Sequence, residues 1–108
     1  MSRTVVDIST SVDPWPVIDT WASANKFSVV SCGALDRIYE RGGGFRRARI
    51  VVQVDSTPTG ITLSAWAPYA ITDTELDVLP LQPLNYFARR KARRLVNALL
   101  VQLGQPRL

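Results

Sequence analysis

The chain carries two runs of strict apolar and polar alternation, and one run in which apolar side chains recur every three or four residues. Over residues 47–55, Ala48, Ile50, Val52 and Val54 fall on one side and Arg47, Arg49, Val51, Gln53 and Asp55 on the other. A second run sets Ile61, Leu63, Ala65 and Ala67 against Thr62, Ser64 and Trp66. A period of two means a strand with one buried and one wet face. Both runs therefore predict strands, with Ser56, Thr57, Pro58 and Thr59 as the turn between them. Residues directly opposite in an antiparallel pair share a face, so core positions must meet core positions. The simplest register closes a four-residue loop over 56–59 and pairs Val54 with Ile61, Val52 with Leu63 and Ile50 with Ala65. On the polar face it pairs Gln53 with Thr62 and Val51 with Ser64, and sets Arg49 opposite Trp66.

Past Leu84 the period changes. Leu84, Phe87, Ala88, Ala92, Leu95, Val96, Leu99 and Leu103 follow the i, i+3, i+4, i+7 series of an amphipathic helix, predicted over residues 85–103. Pro83 precedes it and Gly104 and Pro106 follow, which is how helices are bracketed. On a wheel of about 100° per residue, Arg89, Arg90, Arg93 and Arg94 are assigned to the side opposite the apolar stripe.

The rest of the chain divides around these elements. Residues 4–8 are short and β-branched and predict a strand. Asp13 supplies a cap acceptor and Pro14 a first helical residue for a helix over 14–25, whose stripe is Val17, Ile18, Trp21 and Ala22. Residues 27–32 predict a second strand, with Cys32 packed inside it. Residues 34–41 fit either a helical turn or a strand, and the strand is chosen because Gly42, Gly43 and Gly44 then make the reversal into the next one. Thr72, Asp73, Thr74 and Glu75 have the form of a capping box, but no helical run follows. A loop with a short extended piece near 76–79 is expected.

This order predicts an α+β fold: an antiparallel sheet of about four to six strands with two helices on one face, arranged β-α-β-β-β-β-α. It is similar to the helix-grip arrangement, in which a curved antiparallel sheet wraps a long terminal helix. A ferredoxin-like split βαβ is the alternative.

Composition narrows the classes. A chain of 108 residues has room for one domain, and 46% apolar with 20% charged residues suits a folded rather than a disordered chain. The first residues lack the apolar run of a signal peptide and no stretch suits a membrane span, so a cytoplasmic protein is expected. Histidine is absent. That removes Ser-His and Cys-His nucleophile pairs, imidazole acid-base chemistry and His-containing zinc sites. No enzyme activity, cofactor or metal is expected. Charge is uneven: residues 84–108 hold six bases (Arg89, Arg90, Lys91, Arg93, Arg94, Arg107) and no acid, while residues 1–83 hold seven bases and nine acids, within a net charge of +4. Such asymmetry points to an anionic partner.

Three constellations have chemical potential. Asp73, Glu75 and Asp77 would share a face on a strand, but their spacing matches no calcium loop. Residues 41–47, Arg-Gly-Gly-Gly-Phe-Arg-Arg, set backbone amides among arginines as a phosphate cradle would, without the Lys-Ser/Thr ending of a nucleotide loop. Arg47, Arg49 and Trp66 on one sheet face could stack a base or hold a phosphate. Against an RNA-recognition-motif reading, the places for sheet aromatics are filled by Val5, Val6, Ile50 and Val52.

Three functions follow. The first is a non-enzymatic module whose basic side, Arg46, Arg47, Arg49, Arg89, Arg90, Arg93 and Arg94 with Trp66 as a stacking residue, binds nucleic acid, another polyanion or an acidic protein surface. The second is a carrier of a small apolar ligand in a cavity lined by Trp21, Phe27, Tyr39 and Phe87. The third is an assembly role, a homo-oligomer formed through the Trp66 face or an open strand edge.

Overall fold

The computed structural model describes residues 3–42, 49–68, 75–76, 78 and 86–108, with the backbone alone for 75–76 and 86–88. In chain order its elements are β1 (Thr4–Ser9), α1 (Trp15–Ala24), β2 (Ser28–Cys32), β3 (Asp36–Arg41), β4 (Ile50–Thr57), β5 (Gly60–Pro68), β6 (Glu75–Leu76) and α2 (Tyr86–Gln102). Strands β2 to β5 run as a meander, and β1 lies beside β5, giving the order β1-β5-β4-β3-β2. The two-residue β6 pairs with Ala67 and Pro68, beyond the end of β1. Val78 just after it donates its N–H to Thr4 Oγ1 at 3.0 Å. All pairings are antiparallel. The expected α+β order is thus the observed one, and the parallel pair that a split βαβ needs is not among the described pairings.

Alternation decides which face is covered. Ile50, Val52 and Val54 of β4, Ile61, Leu63 and Ala65 of β5, Ile8 and Tyr39 form one buried cluster with Ile18, Trp21 and Ala22 of α1 and Ala92, Leu95, Val96, Leu99 and Leu100 of α2. Both helices therefore lie on the same face of the sheet. Trp21 joins the layers: its ring stacks on Phe27 with centroids 4.7 Å apart, and its Nε1 donates to the Leu95 carbonyl at 2.9 Å. A buried indole needs such a partner for its one polar atom. At the start of α1, Asp13 Oδ1 accepts the Trp15 N–H at 3.1 Å, while Pro14 takes the cap position and Pro16 falls in the first turn. The helix therefore begins one residue later than expected.

Two expectations about the sheet need correction. The β4–β5 register differs from the expected one by two residues: Val54 pairs with Leu63, Val52 with Ala65 and Ser56 with Ile61, and the strands close from Thr57 to Gly60 through Pro58 and Thr59. A shift of two leaves every side chain on its own face, so alternation cannot detect it. The tighter hairpin presses Gly60 against β1, where an added Cβ would lie 1.9 Å from the Ile8 carbonyl oxygen. The second correction concerns β2. Its apolar composition suggested burial, yet its place at the rim of the sheet leaves every residue exposed, Cys32 included. Val29 and Val30 are 52% and 56% exposed, and the pairing with β3 is broken by an irregularity between Val29 and Ser31. No helix among the described residues is long and apolar enough to cross a membrane.

Candidate anion-binding groove

Helix α2 buries Ala92, Leu95, Val96, Leu99 and Leu100. Arg90, Lys91, Arg94, Ala98, Val101 and Gln102 are left exposed, with Arg93 and Asn97 half-buried. Its end is closed by Gly104 in the left-handed region, φ 73°. The Gln105 N–H donates to the Leu100 carbonyl at 2.8 Å and the Gly104 N–H to that of Val101 at 3.0 Å, the bond pair of a Schellman closure. The chain then doubles back. The Leu108 N–H donates to Asn97 Oδ1 at 2.7 Å, and Leu103 and Leu108 pack at the margin of the core. This reversal sets Arg107 beside the outward side of the helix.

The result is an open groove of about 870 Å³. Five cations line it, Arg90, Lys91, Arg93, Arg94 and Arg107, along with the side-chain amides of Asn97 and Gln102 and the small apolar surfaces of Ala98 and Val101. No carboxylate side chain is among these lining residues. Arg90, Lys91 and Arg93 each hold contacts of their own within the molecule. The groove is a concentration of positive charge in which several cations are already held in place.

The other expected site residues divide. Arg89 does not belong to the outer face; it is 3% exposed, and like Arg90 it has contacts within the molecule. Its spacing of seven and eleven residues from Val96 and Leu100 puts all three on one side of the helix, so the wheel assignment was at fault. Arg49 pairs with Glu40, Nε to Oε1 at 2.7 Å and Nη2 to Oε2 at 3.2 Å. Trp66, expected beside Arg49 and accessible for stacking, is 7% exposed, sits opposite Val51, and is covered by the Arg3 guanidinium 3.8 Å from its ring centroid. Arg46 and Arg47 lie outside the described residues, as do Asp73 and Asp77. Of the arginine-glycine cradle only Arg41 and Gly42 are described. Arg41 donates to the Asn25 carbonyl at 2.9 Å and reaches over Phe27, ring contacts that belong to the fold. Of the residues expected to line an apolar cavity, Trp21, Phe27 and Tyr39 are buried members of the common core.

A second polar cluster ties α1 to β3. Arg37 Nη1 donates to both carboxylate oxygens of Asp19, at 2.7 and 2.9 Å, and lies 4.5 Å from the Trp15 ring centroid. The Tyr39 hydroxyl donates to Asp19 Oδ1 at 2.8 Å. Burial acts to raise the Asp19 pKa, but the hydrogen bonds from Arg37 and Tyr39 and the Arg37 charge outweigh it and hold the carboxyl below its usual value. Burial, with the neighbouring Asp19 carboxylate, pushes the Tyr39 phenol up to about 12. This cluster docks the helix; each polar group in it is directed at another.

Reading the sequence missed Lys91 and Arg107 as site residues. The signal for Arg107 was present, since Gly104 and Pro106 mark a chain reversal that returns whatever follows to the helix. Comparison of this chain with protein-family models, with curated proteins and with solved structures finds no match.

Proposed function

We propose that the chain is a small, cytoplasmic, non-enzymatic binding module whose groove on the outer side of α2 takes an anionic partner, a nucleic acid or another polyanion. One observation carries this reading: five cations converge on one concavity, with no carboxylate side chain among its described lining residues. Like charges held this close repel, and a polyanion relieves that repulsion while releasing its own condensed counterions.

The test is a salt titration. Binding of a labelled oligonucleotide, and of heparin, should weaken steeply between 50 and 200 mM salt, with a slope in log affinity of about −0.9 per neutralised phosphate for duplex DNA. Replacing Arg94 or Arg107 by Ala should each reduce that slope by about one. Absence of binding to either polyanion at low salt would sink the proposal.

An assembly role has one observation in its favour, the fully exposed edge strand β2 with Val29 and Val30 uncovered. Edges of this kind template pairing with another chain. Sedimentation that shows a dimer, lost on Val30→Lys, would support it; a monomer at high concentration would remove it. Trp66 is too well covered to serve as the contact.

A further inference from the structure

We infer that this groove takes an acidic amphipathic helix of a partner protein, laid along α2 with apolar side chains on Ala98 and Val101 and carboxylates on Arg94 and Arg107. This rests on the proposed anion-binding role and names the partner. Three observations lead there. The first is the order of side chains along the outer side of α2. Arg94, Ala98 and Val101 stand at i, i+4 and i+7, so they form one stripe about 10 Å long. All three are exposed, and Val101, at 49%, is one of the few large apolar side chains that the fold leaves uncovered among the described residues. A stripe that begins in a cation and continues in apolar surface is matched by a helix carrying acid and apolar residues at the same spacing. A phosphate backbone has charge to offer Arg94 and little to offer Val101; nucleic-acid interfaces are accordingly more polar than those between proteins.

The second observation is the opposite wall. The folded-back tail, tied to α2 by the bond from the Leu108 N–H to Asn97 Oδ1, brings Arg107 alongside this stripe. Helix and tail thus make a trough with a guanidinium on each side, and a rod can lie in it. Third, the two cations this arrangement uses are available. Arg94 and Arg107 are exposed, and neither makes a hydrogen bond or ion pair with the described residues. Arg90, Lys91 and Arg93 keep the contacts they hold within the molecule. Each of the two guanidinium groups can take a carboxylate in a forked pair of hydrogen bonds. The small Ala98 side chain between them lets a second helix approach to the ordinary packing distance, about 8–10 Å between axes.

The experiment measures anisotropy of a labelled 14-residue peptide with leucines at helical spacing on one face and glutamates elsewhere. A scrambled peptide of the same composition, polyglutamate, heparin and a 20-base-pair duplex DNA are measured beside it, at 50 and 200 mM potassium chloride. The amphipathic peptide should bind at least tenfold tighter than its scrambled form or polyglutamate, bind tighter than the duplex at 200 mM, and gain helical circular dichroism when bound. Val101→Thr keeps the branched shape and exchanges a methyl for a hydroxyl. It should weaken the amphipathic peptide at least threefold and change heparin binding less than twofold. Arg94→Ala/Arg107→Ala should weaken the peptide at least tenfold. Lys26→Asn is the control: it removes one exposed charge outside the groove lining, at a position with φ 63° that asparagine tolerates, and it should change nothing. Circular dichroism of the protein reports whether each variant is folded. Equal binding of the scrambled peptide, tighter duplex binding at 200 mM, no gain in helix, or an unaffected Val101→Thr would overturn this inference and leave the polyanion reading in place. A loss in Lys26→Asn as large as in the double variant would remove the groove as the site. No binding to any of these probes at 50 mM would overturn both.

Discussion

The arginines of the sheet and the cations of α2 are the same chemistry under opposite arrangements. Arg37 meets Asp19, Arg49 meets Glu40, Arg41 meets the Asn25 carbonyl and Arg3 covers Trp66 while donating to Gln53 at 3.3 Å. Each of these fixes one element against another. On the outer side of α2 five cations share a groove with no carboxylate side chain among its described lining residues. The difference teaches that the same guanidinium can tie two elements together or, gathered with others of its sign on one surface, contribute to a common field. Changes at the α1-sheet seam should therefore alter stability and leave binding alone, and changes in the groove should do the reverse.

The largest effect expected on the seam is from Trp21→Ala, which empties a core position, removes the stack on Phe27 and takes the indole donor from the Leu95 carbonyl. A loss of about 3–5 kcal/mol in urea unfolding is expected, and a loss under about 1 kcal/mol would show that Trp21 does not join the layers. Gly60→Ala should follow at about 1–3 kcal/mol, since the new Cβ meets the Ile8 carbonyl oxygen and either β1 or the hairpin must shift.

Smaller, and dependent on pH, is the cluster at Asp19. Its carboxyl is held below 3.8, so its contribution is in place above that pH and is lost as pH falls through the folded value. Tyr39 is raised from 10 to about 12, so its contribution is in place below pH 10 and is lost as pH rises toward 12. Asp19→Asn should flatten the acid limb of the stability profile, within the ~1 kcal/mol typical of partly exposed ion pairs. Tyr39→Phe should flatten the alkaline limb. Unfolding midpoints measured from pH 2 to 12 decide both, and an unchanged profile in Asp19→Asn would mean that the pair contributes nothing. The smallest stability effect belongs to Arg94→Ala, within about 0.5 kcal/mol, although polyanion binding should fall. A large stability loss there would erase the contrast between the two regions.

Much of the fold was legible from period alone. The alternation in β4 and β5 placed the core side correctly, but Val51, Ser64 and Trp66 on the side expected to be wet are buried as well; the 3.6-residue period found both helices. What escaped was set by information that a period does not carry. Parity is unchanged by a two-residue slip, so the hairpin register was open, and Trp66 was given the wrong neighbour as a result. Burial of Cys32 depended on the position of β2 in the sheet order, which composition does not encode. Arg89 could have been placed, because its distance from Val96 marks it as inward; the omission of Leu100 from the apolar stripe hid this. The groove itself needed the tail to return along α2, a tertiary event signalled only by Gly104 and Pro106.

The pairing of β1 with β5 brings Thr4 against Ala65 and Ile8 against Ile61. Strands β2 to β5 can zip through neighbours close in sequence, whereas β1 must wait until the far side of that meander exists. The strand translated before the others must therefore wait for a partner far along the chain, and contacts so separated slow folding. Until it arrives, the flank of β5 stands open to any other strand in reach.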